Sequence, residues 1–168
     1  MAQIAGREEE AIEHLVQFLQ LSKRPLGVDL TWGRVHETIG ELAFRLGHYQ
    51  LAVESYHTAL EFNPYHPLEF TIFYQMARCY YRLQAYDKVL ETVDRMQHAA
   101  AAEDEMIQDY RVFNVLGNAY FALEQYGAAA VAYRQALLLA PSGAEQLEQI
   151  RSYLAFAEDL GTQASNDR

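Results

Sequence analysis

The chain has 168 residues, 51% of them hydrophobic, which is the length of one domain, sufficient for a continuous core and incompatible with general disorder. Lys and Arg number 13 against 23 Asp and Glu, a net charge of −10 with a pI near 5.0, and that negative field excludes nucleic acid and anionic membrane surfaces as expected partners. The single cysteine, Cys79, permits neither an internal disulfide nor a thiolate metal cluster.

The start of the chain, Met1 to Arg7 followed by Glu8, Glu9 and Glu10, lacks a basic segment leading into an apolar run. No stretch approaches the ~18 apolar residues of a membrane helix, so a soluble, cytoplasmic protein without direct membrane insertion is expected. Residues 8–22 place Ile12, Leu15, Val16 and Leu19 on one helical stripe, with the three glutamates favouring the helix N-terminus. That helix is expected either to cap the following element or to swap onto a second copy, giving a homo-oligomer. Residues 23–31, with Pro25 and Gly27, read as a loop.

From 33 to 66 the chain reads His36-x2-Ile39-Gly40-x2-Ala43, then Ala52-x3-Tyr56, Ala59 and Pro64. A helix ending near Leu46 turns at Gly47, which suits the left-handed conformation that closes a helix. A second helix runs to about Asn63 and stops at Pro64. Residues 70–103 repeat the frame loosely, as Phe73, Met76, Ala77, Tyr80, Tyr86, Val89, Val93 and Met96. Ala101 stands where the proline should be, so the second helix is expected to overrun by one or two turns. Residues 110–143 repeat it most cleanly: Phe113-x2-Leu116-Gly117-x2-Tyr120, Ala129-x3-Tyr133, Ala136 and Pro141. Residues 144–160 put Leu147, Ile150, Leu154 and Ala157 on one face and Glu145, Glu148, Arg151 and Glu158 on the other, the pattern of a capping helix. Residues 161–168 are polar and read as a frayed tail.

This spaced pattern resembles the tetratricopeptide repeat, a helix–turn–helix unit of about 34 residues. The small residues Gly40, Ala77 and Gly117 lie 37 and then 40 residues apart, so the repeats are lengthened relative to that unit. The resemblance implies an all-α, right-handed superhelix (α-solenoid) of three helix–turn–helix repeats, with an N-terminal helix and a C-terminal capping helix, in one domain spanning 1–168. Each small residue is expected to face Ala52, Val89 or Ala129 across its hairpin, beside the large Tyr56, Tyr80, Tyr120 and Tyr133.

The resemblance also implies a concave groove lined by the first helix of each repeat. Helical spacing from the small residues puts Arg34, Glu37, Glu41 and Phe44 there from the first repeat, Tyr74, Gln75, Arg78, Tyr81 and Arg82 from the second, and Arg111, Asn114, Asn118 and Phe121 from the third. Aromatics and arginines are the residue types enriched at binding hot spots. Asn114 and Asn118 are expected to pair with a peptide backbone, and Arg78, Arg82 and Arg111 with a ligand carboxylate. One subclass of the family grips chaperone C-terminal carboxylates with lysines, asparagines and an arginine. Here Glu37 and Glu41 stand where lysine and asparagine are needed, Gln75 replaces asparagine and Val115 replaces arginine, so that function is not expected.

None of the six histidines, His14, His36, His48, His57, His66 and His98, pairs with another at helical metal-ligand spacing, and His36 is expected to fill core space. Cys79 reads as a small buried filler. No phosphate loop and no nucleophile–base pair stands out, so neither catalysis, a cofactor nor a metal is expected. The function read from the sequence is a non-enzymatic module binding a partner protein or peptide as adaptor or scaffold. The alternatives are an assembly or secretion chaperone for a specific client and a self-assembling structural subunit.

Overall fold

A computed structural model describes residues 2–64, 69–102 and 104–166, in which eight helices and no strands occur. The chain is all-α and built of helical repeats. His66 and Glu103 lie outside the described residues. Contacts fall into two compact units, 1–83 and 84–168.

In the first unit, α1 spans Ala2–Leu21, α2 Leu30–Leu46, α3 Tyr49–Phe62 and α4 Glu69–Arg82. α1 begins six residues before the sequence reading of 8–22, so Glu8, Glu9 and Glu10 lie inside the helix rather than at its N-terminus. Glu8 instead accepts from Arg45 Nε of α2 at 2.7 Å, tying α1 to its own neighbour. α2 starts inside the expected loop 23–31, because Asp29 takes an extended conformation and its carboxylate accepts from the Trp32 backbone N–H at 2.9 Å.

Gly47 ends α2 with φ +81, its N–H reaching Phe44 O while the His48 N–H reaches Ala43 O. α3 then ends two residues before Pro64, with Asn63 as its C-cap. Ala43, Ala52 and Ala59 are fully buried. The close approach expected between Gly40 and Ala52 is made chiefly with Tyr56: a Cβ on Gly40 would lie 2.8 Å from Tyr56 Cε1. The small residue thus makes room for an aromatic ring laid against the helix backbone. Trp32, His36 and Phe62 form an aromatic cluster, with the His36 ring stacked on Phe62 at 6.1 Å, so His36 fills space. Burial, and then the charge of Arg24, push the His36 imidazole below its ordinary 6.5, against the opposing pull of Glu61.

In the second unit, α5 spans Tyr86–Ala102, α6 Tyr110–Ala122, α7 Tyr126–Leu139 and α8 Leu147–Asn166. α5 has 17 residues where α3 and α7 each have 14, an overrun of about one turn in the helix that lacks a terminating proline. Asp104 closes it with φ +59, and its neighbour Glu105 donates to Ala100 O at 2.9 Å. Glu124, with φ +59, ends α6 with the same pair of hydrogen bonds that Gly47 makes possible in the first unit.

Gly117 repeats the arrangement of Gly40, since a Cβ there would meet Tyr133 Cδ1 and Cε1 at 2.6 Å. The core of this unit is Ala129, Ala130, Tyr133, Ala136, Ile150 and Ala157, with Phe121, Tyr153 and Leu154 packed against it. α8 presents Ile150 and Ala157 inward as the capping pattern requires. It continues to Asn166, so residues 161–166 are helical where a frayed tail was expected.

Candidate functional site

The expected lining residues divide between the two units, and each set is described within its own. In the first unit the structure brings together Phe44 of α2 with Tyr74, Gln75 and Arg78 of α4. The Arg78 guanidinium lies over the Phe44 ring at 4.3 Å and beside the Tyr74 ring at 5.6 Å, and it donates to Gln75 Oε1 at 2.9 Å. Cation–π contacts of this kind hold a flexible arginine in one orientation and reduce the entropy lost when a partner arrives. Phe44 is itself braced edge-on by Tyr49 at 5.6 Å. All four are half-buried, so they are anchored yet reachable.

Glu37 and Glu41 stand one turn apart on α2, flanking Gly40. Beneath α2 lies a buried polar group whose ring the residue spacing placed in the packing beside Gly40. The Tyr56 side chain is 1% exposed, and its hydroxyl is buried with no hydrogen-bond partner among the described residues. Burial and then the nearby Cys79, Glu41 and Glu37 push that phenol well above its ordinary 10.0, with Arg78 pulling the other way. Cys79 is fully buried and, mainly through that burial, its thiol is pushed up to about 12 despite the neighbouring Arg78, which makes it an inert filler. Arg34 lies apart from the Phe44–Arg78 set: it lines a cleft of about 340 Å³ with Leu15 of α1 and Leu30, Thr31, Val35 and Thr38 of α2. Tyr81 is half-buried and Arg82 exposed at the end of α4.

In the second unit the expected ligand contacts of α6 are engaged internally. Arg111 donates from Nε and Nη2 to both carboxylate oxygens of Asp109, whose side chain also accepts the Arg111 backbone N–H and caps α6. Burial acts to raise the Asp109 carboxyl, but the Arg111 hydrogen bonds and charge outweigh it and hold it below its usual value. Asn114 donates to Gln146 Oε1 at 3.0 Å. Asn118 accepts the Tyr133 hydroxyl at 2.8 Å, which fixes the ring under Gly117. Phe121 packs against Tyr126 at 5.4 Å and Tyr153 of α8 at 6.0 Å. The two arginines thus differ in setting: the Arg78 guanidinium is spread over aromatic rings and that of Arg111 is paired with Asp109.

Spacing alone missed Tyr56, Gln146 and Tyr153. For Tyr56 a signal was present. Tyr56 and Tyr133 both lie 16 residues after a packing glycine, but the residue following that glycine is Glu41 in one case and Asn118 in the other. The Tyr133 hydroxyl donates to Asn118, whereas the Tyr56 hydroxyl has no partner among the described residues.

Among the described residues no group of His, Cys, Asp and Glu is arranged to hold a metal ion, and no helix is long and apolar enough to cross a membrane. Two family models, each described as a tetratricopeptide repeat, match the chain at 33–66 and 110–142. The middle segment, 70–103, lies outside both matches. No curated protein matches the chain.

Among solved structures, the first TPR domain of human RPAP3 is 24% identical with a TM-score of 0.58, covering 78% of this chain and 98% of that one. The first TPR of Spaghetti (RPAP3) bound to the HSP90 peptide SRMEEVD is 25% identical with a TM-score of 0.58, covering 78% and 99%. MamA from residue 41 onward, from Desulfovibrio magneticus RS-1, is 21% identical with a TM-score of 0.65, covering 98% and 91%. The glycine–tyrosine hairpins, the two matched segments and these shared folds together make the chain a tetratricopeptide-repeat protein.

Proposed function

We propose that the chain is a non-enzymatic protein-interaction module, an adaptor or scaffold that holds a segment of a partner protein on the face formed by α2 and α4. The observation that carries this reading is the Phe44–Tyr74–Arg78 assembly, with the guanidinium 4.3 Å from one ring and 5.6 Å from the other. Large aromatics and arginine dominate binding energetics when they are anchored before the partner arrives. Tetratricopeptide repeats are in general a non-catalytic interaction fold, and the similar RPAP3 domain with its bound HSP90 peptide supports a peptide-sized ligand here. The acidic Glu37 and Glu41 on this face favour a ligand other than an acidic C-terminus.

The test is affinity capture from native lysate with wild type beside a Tyr74→Ala, Arg78→Ala variant, both shown to be folded by circular dichroism. A partner retained by wild type and lost by the variant supports the reading. A partner held equally by both contradicts it.

A further inference from the structure

An end helix in a stack of helical repeats needs a polar outer face, because no further repeat covers it. α1 departs from that rule. Ile4, Ala11, Leu15 and Phe18 stand at i, i+7, i+11 and i+14, one apolar stripe along the helix. Ile4 is 56% and Phe18 44% exposed, and Leu21, at 81%, continues the apolar surface at the helix end. Glu8 meets Arg45, while Leu15 further along α1 shares a cleft with Arg34 and Thr38, so α1 runs antiparallel to α2. The cleft, about 340 Å³, therefore lies in the trough between two antiparallel helices, with the 61% exposed Leu30 at its rim.

Arg34 is the one charged residue lining that cleft, and among the described residues its guanidinium meets no carboxylate. Between Glu13 and Glu37 the chain carries Lys23, Arg24 and Arg34 against Asp29 alone, and the Asp29 carboxylate is already taken by the Trp32 N–H. The trough thus opens beside a basic stretch in a chain whose net charge is −10.

We propose that the α1/α2 trough is a second docking site, on the opposite flank of α2 from the α2/α4 face, and that it takes an amphipathic helix of a partner protein. The helix lays its apolar face along Ile4, Leu15, Phe18 and Leu30, as helices do in apolar grooves, and a carboxylate on its flank pairs with Arg34. The charges disfavour a second copy of this chain docked through its own α1, which would bring the exposed Glu9, Glu10 and Glu13 of two chains together.

The test is selection from a displayed library of 18-residue helices, with apolar residues fixed at i, i+3, i+7 and i+10 and the rest random, using the full chain as bait. Enrichment of Asp or Glu on the flank of the apolar face is expected. In fluorescence anisotropy of a capped synthetic peptide from the enriched set, Arg34→Gln should weaken binding about threefold to tenfold and flatten its salt dependence, with Tm unchanged. Phe18→Ser should weaken it about tenfold or more, and Tyr74→Ala should leave it unaltered. Enriched helices that are neutral or basic, or that bind the Arg34→Gln chain as well as wild type, would overturn the inference, as would no enrichment at all. Binding lost on Tyr74→Ala and indifferent to Phe18→Ser would overturn it while leaving the α2/α4 reading standing. Sedimentation of the chain alone should show a monomer; a dimer that Phe18→Ser dissociates would make a second copy the occupant and overturn it too.

Discussion

Gly117→Ala is the sharpest test of how the hairpins are built. The substitution adds one methyl group in the interior of α6, where alanine is ordinarily favoured over glycine by about 1 kcal/mol. Here that methyl would sit 2.6 Å from both Cδ1 and Cε1 of Tyr133, whereas carbon atoms pack comfortably at about 3.5–4.0 Å. The ring must retreat by about 1 Å, and it has nowhere to go. It is fully buried, stacked on Tyr153 at 6.0 Å, and held at its hydroxyl by Asn118. Overpacking costs about 1–3 kcal/mol, and a ring held on three sides belongs at the upper end. Subtracting the propensity gain leaves a net loss of about 2 kcal/mol, or about 4–8 °C in Tm for a chain of this size.

Gly127→Ala is the matched control. No atom lies within 4 Å of its added Cβ, and the position is exposed near the start of α7, so stability should be unchanged or rise by up to about 1 kcal/mol. Urea unfolding monitored by circular dichroism measures both. A Gly117→Ala variant as stable as wild type would refute the packing argument. So would a loss that persists undiminished when Tyr133 is also replaced by leucine, because the clash assigned to the ring would then lie elsewhere.

Tyr56→Phe should leave thermal stability unchanged or raise it slightly, since it removes an unpartnered hydroxyl, whereas Tyr133→Phe should cost about 1 kcal/mol by removing the bond to Asn118; equal effects in thermal melts would contradict the contrast. Glu124 adopts φ +59 at the turn position where Gly47 has φ +81, so Glu124→Gly should stabilise and Gly47→Ala destabilise, each by about 1 kcal/mol in urea unfolding. Burial lowers the His36 pKa, so the unfolded chain takes up its proton first on acidification. The stability due to neutral His36 is therefore lost as pH falls from about 6.5 through the lowered folded value, and His36→Phe should flatten that part of the stability–pH curve. Burial raises Cys79 from 9.0 to about 12, so the unfolded chain ionises first and stability falls as pH rises above about 9, less steeply in Cys79→Ala.

The parts of the fold legible in the sequence are those set by short-range spacing. Gly40 and Tyr56, Gly117 and Tyr133, and the alanines between them recur at fixed offsets because each hairpin packs against itself. The missing proline at Ala101 likewise announces the longer α5. Turn chemistry was legible only at Gly47, because Gln84 and Glu124 adopt positive φ without the glycine that would mark it. The start of α2 depends on one Asp29 hydrogen bond, and Glu8 is drawn into a pair with Arg45 that lies 37 residues away in the chain.

For the candidate site the sequence offers positions on helices and not the contacts each side chain makes. Helical spacing places Phe44 and Arg78 on the same side of their helices, but only the folded unit shows the guanidinium on the ring. The same spacing put Arg111, Asn114 and Asn118 in a ligand's path, while their partners Asp109, Gln146 and Tyr133 are supplied by a cap, the start of α8 and the facing helix.

The proposed site places a partner segment on the α2/α4 face. A two-dimensional amide NMR titration of the full chain with the captured partner's minimal segment tests it directly. The predicted result is saturable shift changes concentrated at residues 37–44 and 74–78, abolished in the Tyr74→Ala, Arg78→Ala variant. Changes confined to α1 or to α7 and α8, with residues 37–44 and 74–78 unmoved, would contradict it.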